Sequence, residues 1–198
     1  MSKRKTTQVG RFDPHPEDRE AVSLLKGTRC GFTLNPKGQV WEIGLTPRFS
    51  DEHYAALRLF PKLISVVIGA GIRADSNITD EGVTKLLSMP NISALMLTNL
   101  PRISDAIAPD LANSNVRWLC LNCKTITDRS MQHLATMNRL LKLSLIGSSV
   151  TRNSMPDLLK LTNLRRLNLT DCDFPADDVE RLRLELPRCT VVAPHDAA

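Results

Sequence analysis

A chain of 198 residues is long enough for one domain with its own core, and with aromatics at only 4% that core must be aliphatic. The net charge of +5 is carried almost entirely by Lys3, Arg4, Lys5 and Arg11, which stand among the first 12 residues without an acid. The near-neutral remainder leaves little charge for the clustered basic face a nucleic-acid binder needs, no apolar run reaches the ~18 residues of a membrane helix, and five irregularly spaced cysteines do not look like a disulfide framework.

Residues 1–15 read as a flexible basic tail with no apolar stretch behind its charges, so a secretory signal is not expected and a reducing cytoplasm is. The Asn-x-Ser/Thr matches at Asn77, Asn91 and Asn168 are then coincidental. Residues 16–45 predict an N-terminal cap. Pro16 to Gly27 has proline early, acids in the first turn and glycine past the end, which predicts a helix. Thr28 to Leu34, the turn Asn35-Pro-Lys-Gly38, and Val40 to Leu45 predict a hairpin.

From Val40 to Val192 a single unit recurs. Its first half reads apolar-x-x-apolar-x-apolar: Val40-Trp-Glu-Ile43-Gly-Leu45, Leu63-Ile-Ser-Val66-Val-Ile68, Ile92-Ser-Ala-Leu95-Met-Leu97, Val116-Arg-Trp-Leu119-Cys-Leu121, Leu140-Leu-Lys-Leu143-Ser-Leu145 and Leu164-Arg-Arg-Leu167-Asn-Leu169. Cys189-Thr-Val-Val192 reads as a terminal fragment, begun 25 residues after Leu164. The period is about two dozen residues, with one unit five residues longer through the loop at 69–77. The second half carries Ser or Thr, then Asp, then apolar residues three apart: Ser50-Asp51, Thr79-Asp80, Ser104-Asp105 and Thr127-Asp128. That predicts a helix start, with the hydroxyl capping a free backbone N–H and the acid at the positive end of the helix dipole. Pro109 and Pro156, each five residues past a cap, predict short or partly 3₁₀ segments, and Pro175 holds the last cap position. One such unit cannot bury its apolar stripe; stacked units can, with parallel strands on one side and helices behind. Residues 193–198 read as a flexible end.

The motif, clearest in Leu119-Cys-Leu121 followed by Ile126-Thr-Asp-Arg-Ser-Met131 and Leu134, resembles that of leucine-rich repeat proteins of the ribonuclease-inhibitor-like or cysteine-containing class in their short bacterial form. Cys172 falls where cysteine-containing repeats place a loop cysteine, and Leu186-Pro-Arg-Cys-Thr-Val-Val is similar to how such chains end. The resemblance implies an α/β solenoid, a curved parallel sheet with helices on its convex side, that binds a protein partner on the concave face. Some members carry an F-box and select substrates for ubiquitin ligases; no F-box is seen in the residues before the hairpin.

Side chains alternate along a strand, so positions three and five of each unit face outward when the leucines face in. The candidate partner-binding residues are Val67, Met96, Trp118, Cys120, Lys142, Ser144, Arg166 and Asn168. Trp118 is the leading candidate, because an indole on an open face is an effective anchor. It could equally pack on its own neighbours, Met96 and Lys142. Cys120-x-x-Cys123 is a poor metal or redox site, since residues three apart on a strand diverge and no helix starts at the first cysteine. No catalytic constellation, cofactor or metal is expected. The reading is a non-catalytic interaction module; the alternative is a substrate-recognition or regulatory subunit of a multi-component enzyme complex.

Overall fold

The computed structural model describes residues 6–8, 13–69 and 77–193. Its strands are β1 (Thr6–Gln8), β2 (Gly31–Leu34), β3 (Val40–Leu45), β4 (Ser65–Ile68), β5 (Ala94–Thr98), β6 (Trp118–Asn122), β7 (Lys142–Ser144), β8 (Arg166–Asn168) and β9 (Thr190–Val192), and they form one sheet in chain order. β1, β2 and β3 are antiparallel; from β3 to β9 every pairing is parallel. Helices α1 (Arg19–Leu24), α2 (Tyr54–Leu57), α3 (Asp80–Leu87), α4 (Ala108–Ala112), α5 (Asp128–Leu134), α6 (Met155–Leu158) and α7 (Ala176–Glu185) lie behind it. Among the described residues no helix is long and apolar enough to cross a membrane.

The register explains why the repeat exists. Ile43, Val66, Leu95, Leu119, Leu143, Leu167 and Val191 are paired in one continuous row, all of them buried. Strands of a sheet are spaced about 4.8 Å apart, so each of these side chains packs on its counterpart one coil away. Among the described residues the buried aromatics are confined to the ends of this aliphatic stack. Phe32 meets Phe60 at 5.8 Å and Phe49 meets Tyr54 edge-on at 4.9 Å in the N-terminal cap. Phe174 closes the other end.

The cap is fastened by a buried carboxylate. Asp18, at the start of α1, has no exposed surface, and one of its oxygens accepts the Val40 N–H at 2.8 Å, tying the capping helix to β3. Further along, Gly69 has φ +94°, and a Cβ there would lie 1.7 Å from the Thr98 carbonyl oxygen, so β4 can leave the sheet this close to the next coil only as glycine. Asn99, Gly147 and Asp171 take the same left-handed conformation two residues past the last core leucine of their units. These are residue types that tolerate it.

Ser104, Thr127 and Thr151 cap their segments as the pattern predicts, each side chain accepting from a backbone N–H two residues on, while Thr79 accepts from Gly82. The proline-bearing units open with 3₁₀ turns, Asp105–Ile107 and Arg152–Ser154, and their α-segments run only five and four residues against eight in α3. At Ser50 the hydroxyl bonds to Glu52 and His53, and the N–H donates to His53 Nδ1 at 3.1 Å.

Three expectations need correction or fall outside the structure. Part of the stretch read as a basic tail is the strand β1, whose Thr6 pairs with Thr33; a three-residue edge strand carries no periodic signal. The terminal fragment is out of register by one residue in the sequence reading. Thr190 pairs with Arg166 and Val191 with Leu167, so Val191, at 5% exposure, holds the core position, whereas Cys189 is half-buried. Residues 1–5, 9–12, 70–76 and 194–198, which include most of the 69–77 loop, lie outside the described residues.

The first-turn acids do more than face a helix dipole. Asp80 accepts the Ser104 N–H at 2.8 Å and its hydroxyl at 2.5 Å. Asp105 accepts the Thr127 N–H and hydroxyl at 2.8 and 2.5 Å, and the Ser130 hydroxyl. Asp128 accepts the Thr151 N–H and hydroxyl at 2.7 and 2.6 Å, and the Ser154 hydroxyl. Each acid therefore grips the capping residue of the following coil. Burial alone would push the Asp105 and Asp128 carboxyls up. The hydrogen bonds from Ser130 and Thr127, and from Ser154 and Thr151, outweigh it and hold both below the ordinary 3.8. Because the folded-state values are depressed, the stabilisation is present above the unfolded-state value and is lost as pH falls through the folded-state one. Asp128→Asn should lower stability at pH 7 by about 2–3 kcal/mol, the scale of hydrogen bonds to a charged group. Urea titrations read this, and the gap to wild type should shrink as pH is taken below about 4.

Candidate functional site

Two rows of side chains face out of the concave sheet. The first is Glu42, Ser65, Ala94, Trp118, Lys142, Arg166 and Thr190; the second is Gly44, Val67, Met96, Cys120, Ser144, Asn168 and Val192. All eight sequence-predicted site residues lie in these rows and line a single open groove of about 680 Å³. Trp118 and Met96 are its exposed apolar centre, at 46% and 40%. Val67, Cys120, Ser144 and Asn168 are half-buried, and Lys142 and Arg166 are exposed.

The packing of Trp118 on its own neighbours is partly realised. Lys142 Nζ lies 4.1 Å from the indole centroid, a cation–π contact that covers one face, and nearly half of the residue stays open. Trp118 is also the one aromatic between residues 61 and 173. An aliphatic solenoid that carries a lone indole carries it on the outside.

Polar neighbours hold much of the rest in place. Glu42 accepts hydrogen bonds from Thr33 at 3.0 Å and Ser65 at 2.9 Å. Asn122 accepts from Ser144 at 3.0 Å, and Asn168 takes the Thr170 N–H and hydroxyl at 3.0 and 2.7 Å. Of these, Glu42 is the single acid lining the groove.

A third row was missed by the sequence reading. Trp41, Ile64, Ser93, Arg117, Leu141 and Arg165 stand one residue before the outward row, joined by backbone bonds of 2.8–3.0 Å from each N–H to the preceding carbonyl. Position two of the unit lies between inward and outward faces at the strand entry, so strict alternation overlooks it. Ile64 is 41% exposed, and Arg117 and Arg165 are exposed as well. The available signal was that this position alternates freely between apolar and basic, unlike the core positions.

The thiols do not form a reactive centre. Cys123 donates to the Leu97 carbonyl at 3.7 Å and Cys172 to the Leu145 carbonyl at 2.9 Å, so both are bonded to the preceding coil. Burial pushes the Cys30, Cys120, Cys123 and Cys172 thiols up, and it carries Cys189 to about 11. Among the described residues no three His, Cys, Asp or Glu side chains converge as metal ligands would.

A coiled parallel sheet, core leucines in vertical register and a cap bonded to the next coil decide the fold. It is that of a leucine-rich repeat solenoid. The chain is 28% identical over 153 residues to F-box/LRR-repeat protein 12 of Bos taurus, a match covering 74% of this chain and 47% of that protein. The chain thus spans about half the length of that curated relative. Among solved structures, an internalin (inlF) of Listeria monocytogenes superposes with a TM-score of 0.51 at 21% identity, over 69% of this chain and 36% of the internalin. Internalin C2 of the same organism gives 0.50 at 16% identity, over 78% and 80%. These structures share the fold. No family model matches the chain.

The state of the thiols makes the protein slow to alkylate. At pH 8 a thiol of pKa about 11 is about two orders of magnitude less ionised than an ordinary one. Iodoacetamide should therefore label Cys189 of the native protein slowly although it is only half-buried, and all five cysteines promptly in guanidinium; mass spectrometry of tryptic peptides reads the difference.

Proposed function

We propose that the protein is a non-catalytic interaction module that takes a protein partner on its concave face. The observation that carries this is the open Trp118–Met96 centre of the groove. The open half of an outward indole adds nothing to the folding of the repeats, whereas an interface gains a large rigid anchor. Lys142 and Arg166, beside the indole, would set the orientation of the bound partner through charge. The five unpaired cysteines agree with a reducing, cytoplasmic setting.

A second reading has one specific observation in its favour. The sequence relative is an F-box/LRR-repeat protein, and a match of 153 residues must lie mostly in the repeats. On this reading the concave face chooses the substrate of a larger enzyme complex, a ligase among them, and the catalytic subunits lie elsewhere.

Affinity capture from the native cell tests both, using wild type, Trp118→Ala and the convex-face control Gln132→Ala, followed by binding of the recovered protein to purified chain. Trp118→Ala should weaken that purified interaction at least about 10-fold, the scale of an interface hot spot, and Gln132→Ala should leave it unchanged. A partner that binds all three chains equally overturns the concave-face reading. Catalytic subunits recovered with the wild type and lost with Trp118→Ala would favour the second reading.

A further inference from the structure

The charge on the concave face is not spread evenly. Arg117, Lys142 and Arg166 line the groove beside and beyond Trp118, towards β8, and Arg165 is exposed at the strand entry next to Arg166. None of the four has an ion pair among the described residues; Lys142 rests on the indole. The acid Glu42 stands at the opposite end, on β3, already bonded to Thr33 and Ser65. Five strand spacings, about 24 Å, separate it from Arg166. Some exposed cations elsewhere on the protein meet acids: Lys85 with Glu81 at 3.0 Å, Arg152 with Asp178 at 3.1 Å, Arg181 with Glu185 at 2.7 Å.

Resting on the concave-face reading above, we infer that the occupant is an acidic, extended peptide segment of a protein partner. A bulky apolar side chain of the segment lies on Trp118 and Met96, and an Asp or Glu carboxylate meets the guanidinium groups of Arg165 and Arg166. Trp118 and Arg166 share a row two strands apart, which is about 10 Å. An extended chain advances about 3.3 Å per residue, so the acid falls about three positions from the apolar anchor. Glu42 fixes the direction, because the acidic end is repelled from β3 and drawn to β8. A nucleic acid fits less well. Its phosphates repeat along its whole length, whereas half of this groove, through Ile64, Val67 and Met96, carries no charge for them.

The test is selection from a displayed library of random twelve-residue peptides on the full chain, with folding of each variant checked by circular dichroism. Wild type should enrich a bulky apolar residue with Asp or Glu two to four positions away. A synthetic copy of an enriched peptide should bind Arg165→Gln/Arg166→Gln at least about tenfold more weakly at low salt, and the difference should fade in high salt. On Arg165→Glu/Arg166→Glu the enriched acid should be replaced by Lys or Arg. Peptides that depend on Trp118, being lost with Trp118→Ala, but ignore the arginines leave the concave-face reading standing and overturn the acidic occupant. Peptides indifferent to Trp118 overturn that reading as well. No enrichment over the charge-reversed chain overturns the peptide occupant, as does a single-stranded oligonucleotide that binds more tightly than any selected peptide.

Discussion

A leucine on one coil has to lie on its counterpart from the coil before. At a strand spacing of about 4.8 Å there is room for nothing else, and a coil of two dozen residues has no other surface to bury against. The row from Ile43 to Val191 meets that requirement without a break. The consequence reaches the other side of the sheet. Once alternate side chains are committed to the interior, their neighbours are committed to the concave face, where no element of the described fold covers them. The groove is a by-product of how the core is stacked, and its chemistry is free to vary.

Stacking apolar side chains alone would let coils slide or twist relative to one another. Polar bonds that run in the same direction prevent it. The acids Asp80, Asp105 and Asp128 each hold the cap of the next coil, and the amides of Asn115 and Asn163 reach the carbonyls of Pro90 and Asn138 one coil back at 3.1 and 2.8 Å. Cys123 and Cys172 donate to carbonyls of the preceding coils from within the core. Between them these bonds satisfy backbone groups that a solenoid would otherwise strand between helix and strand. A surface built on this frame presents Trp118 and Arg166 at a fixed separation, which is what recognition by a few side chains needs.

The repeat was legible because its signal is periodic. The strands, the hydroxyl caps and the shortening after Pro109 and Pro156 follow from local chemistry repeated at one spacing. The pairing of each Asp with the next coil's Ser or Thr was present as residues but not as a relation, since both partners already had local duties as cap and dipole partner. The register of β9 went astray by one residue because Cys189 and Val191 are both apolar enough for a core position, and no sixth-position leucine follows to decide between them. β1 is too short to alternate visibly. The outward residues were legible in place, since alternation dictates them. Arg117 and Arg165 were not, because the strand entry belongs to neither face.

Magnitudes decide how the contact between Lys142 and Trp118 bears on binding. A cation–π contact at an exposed site is worth about 0.5–1 kcal/mol. The open part of the indole, nearly half of a residue that buries up to about 250 Å², amounts to about 100 Å², and covering it is worth about 2.5 kcal/mol. The lysine is therefore too weak a cover to compete with a partner, and a peptide can move it aside or leave it in place as a second wall. In the free protein the same ammonium keeps water close to an indole that would otherwise offer an apolar patch for self-association. Displaced towards β8, it would join Arg166 in the neighbouring position of the same row. A segment that covered the indole would thereby strengthen the positive end of the groove, so that the apolar and acidic parts of its binding reinforce each other.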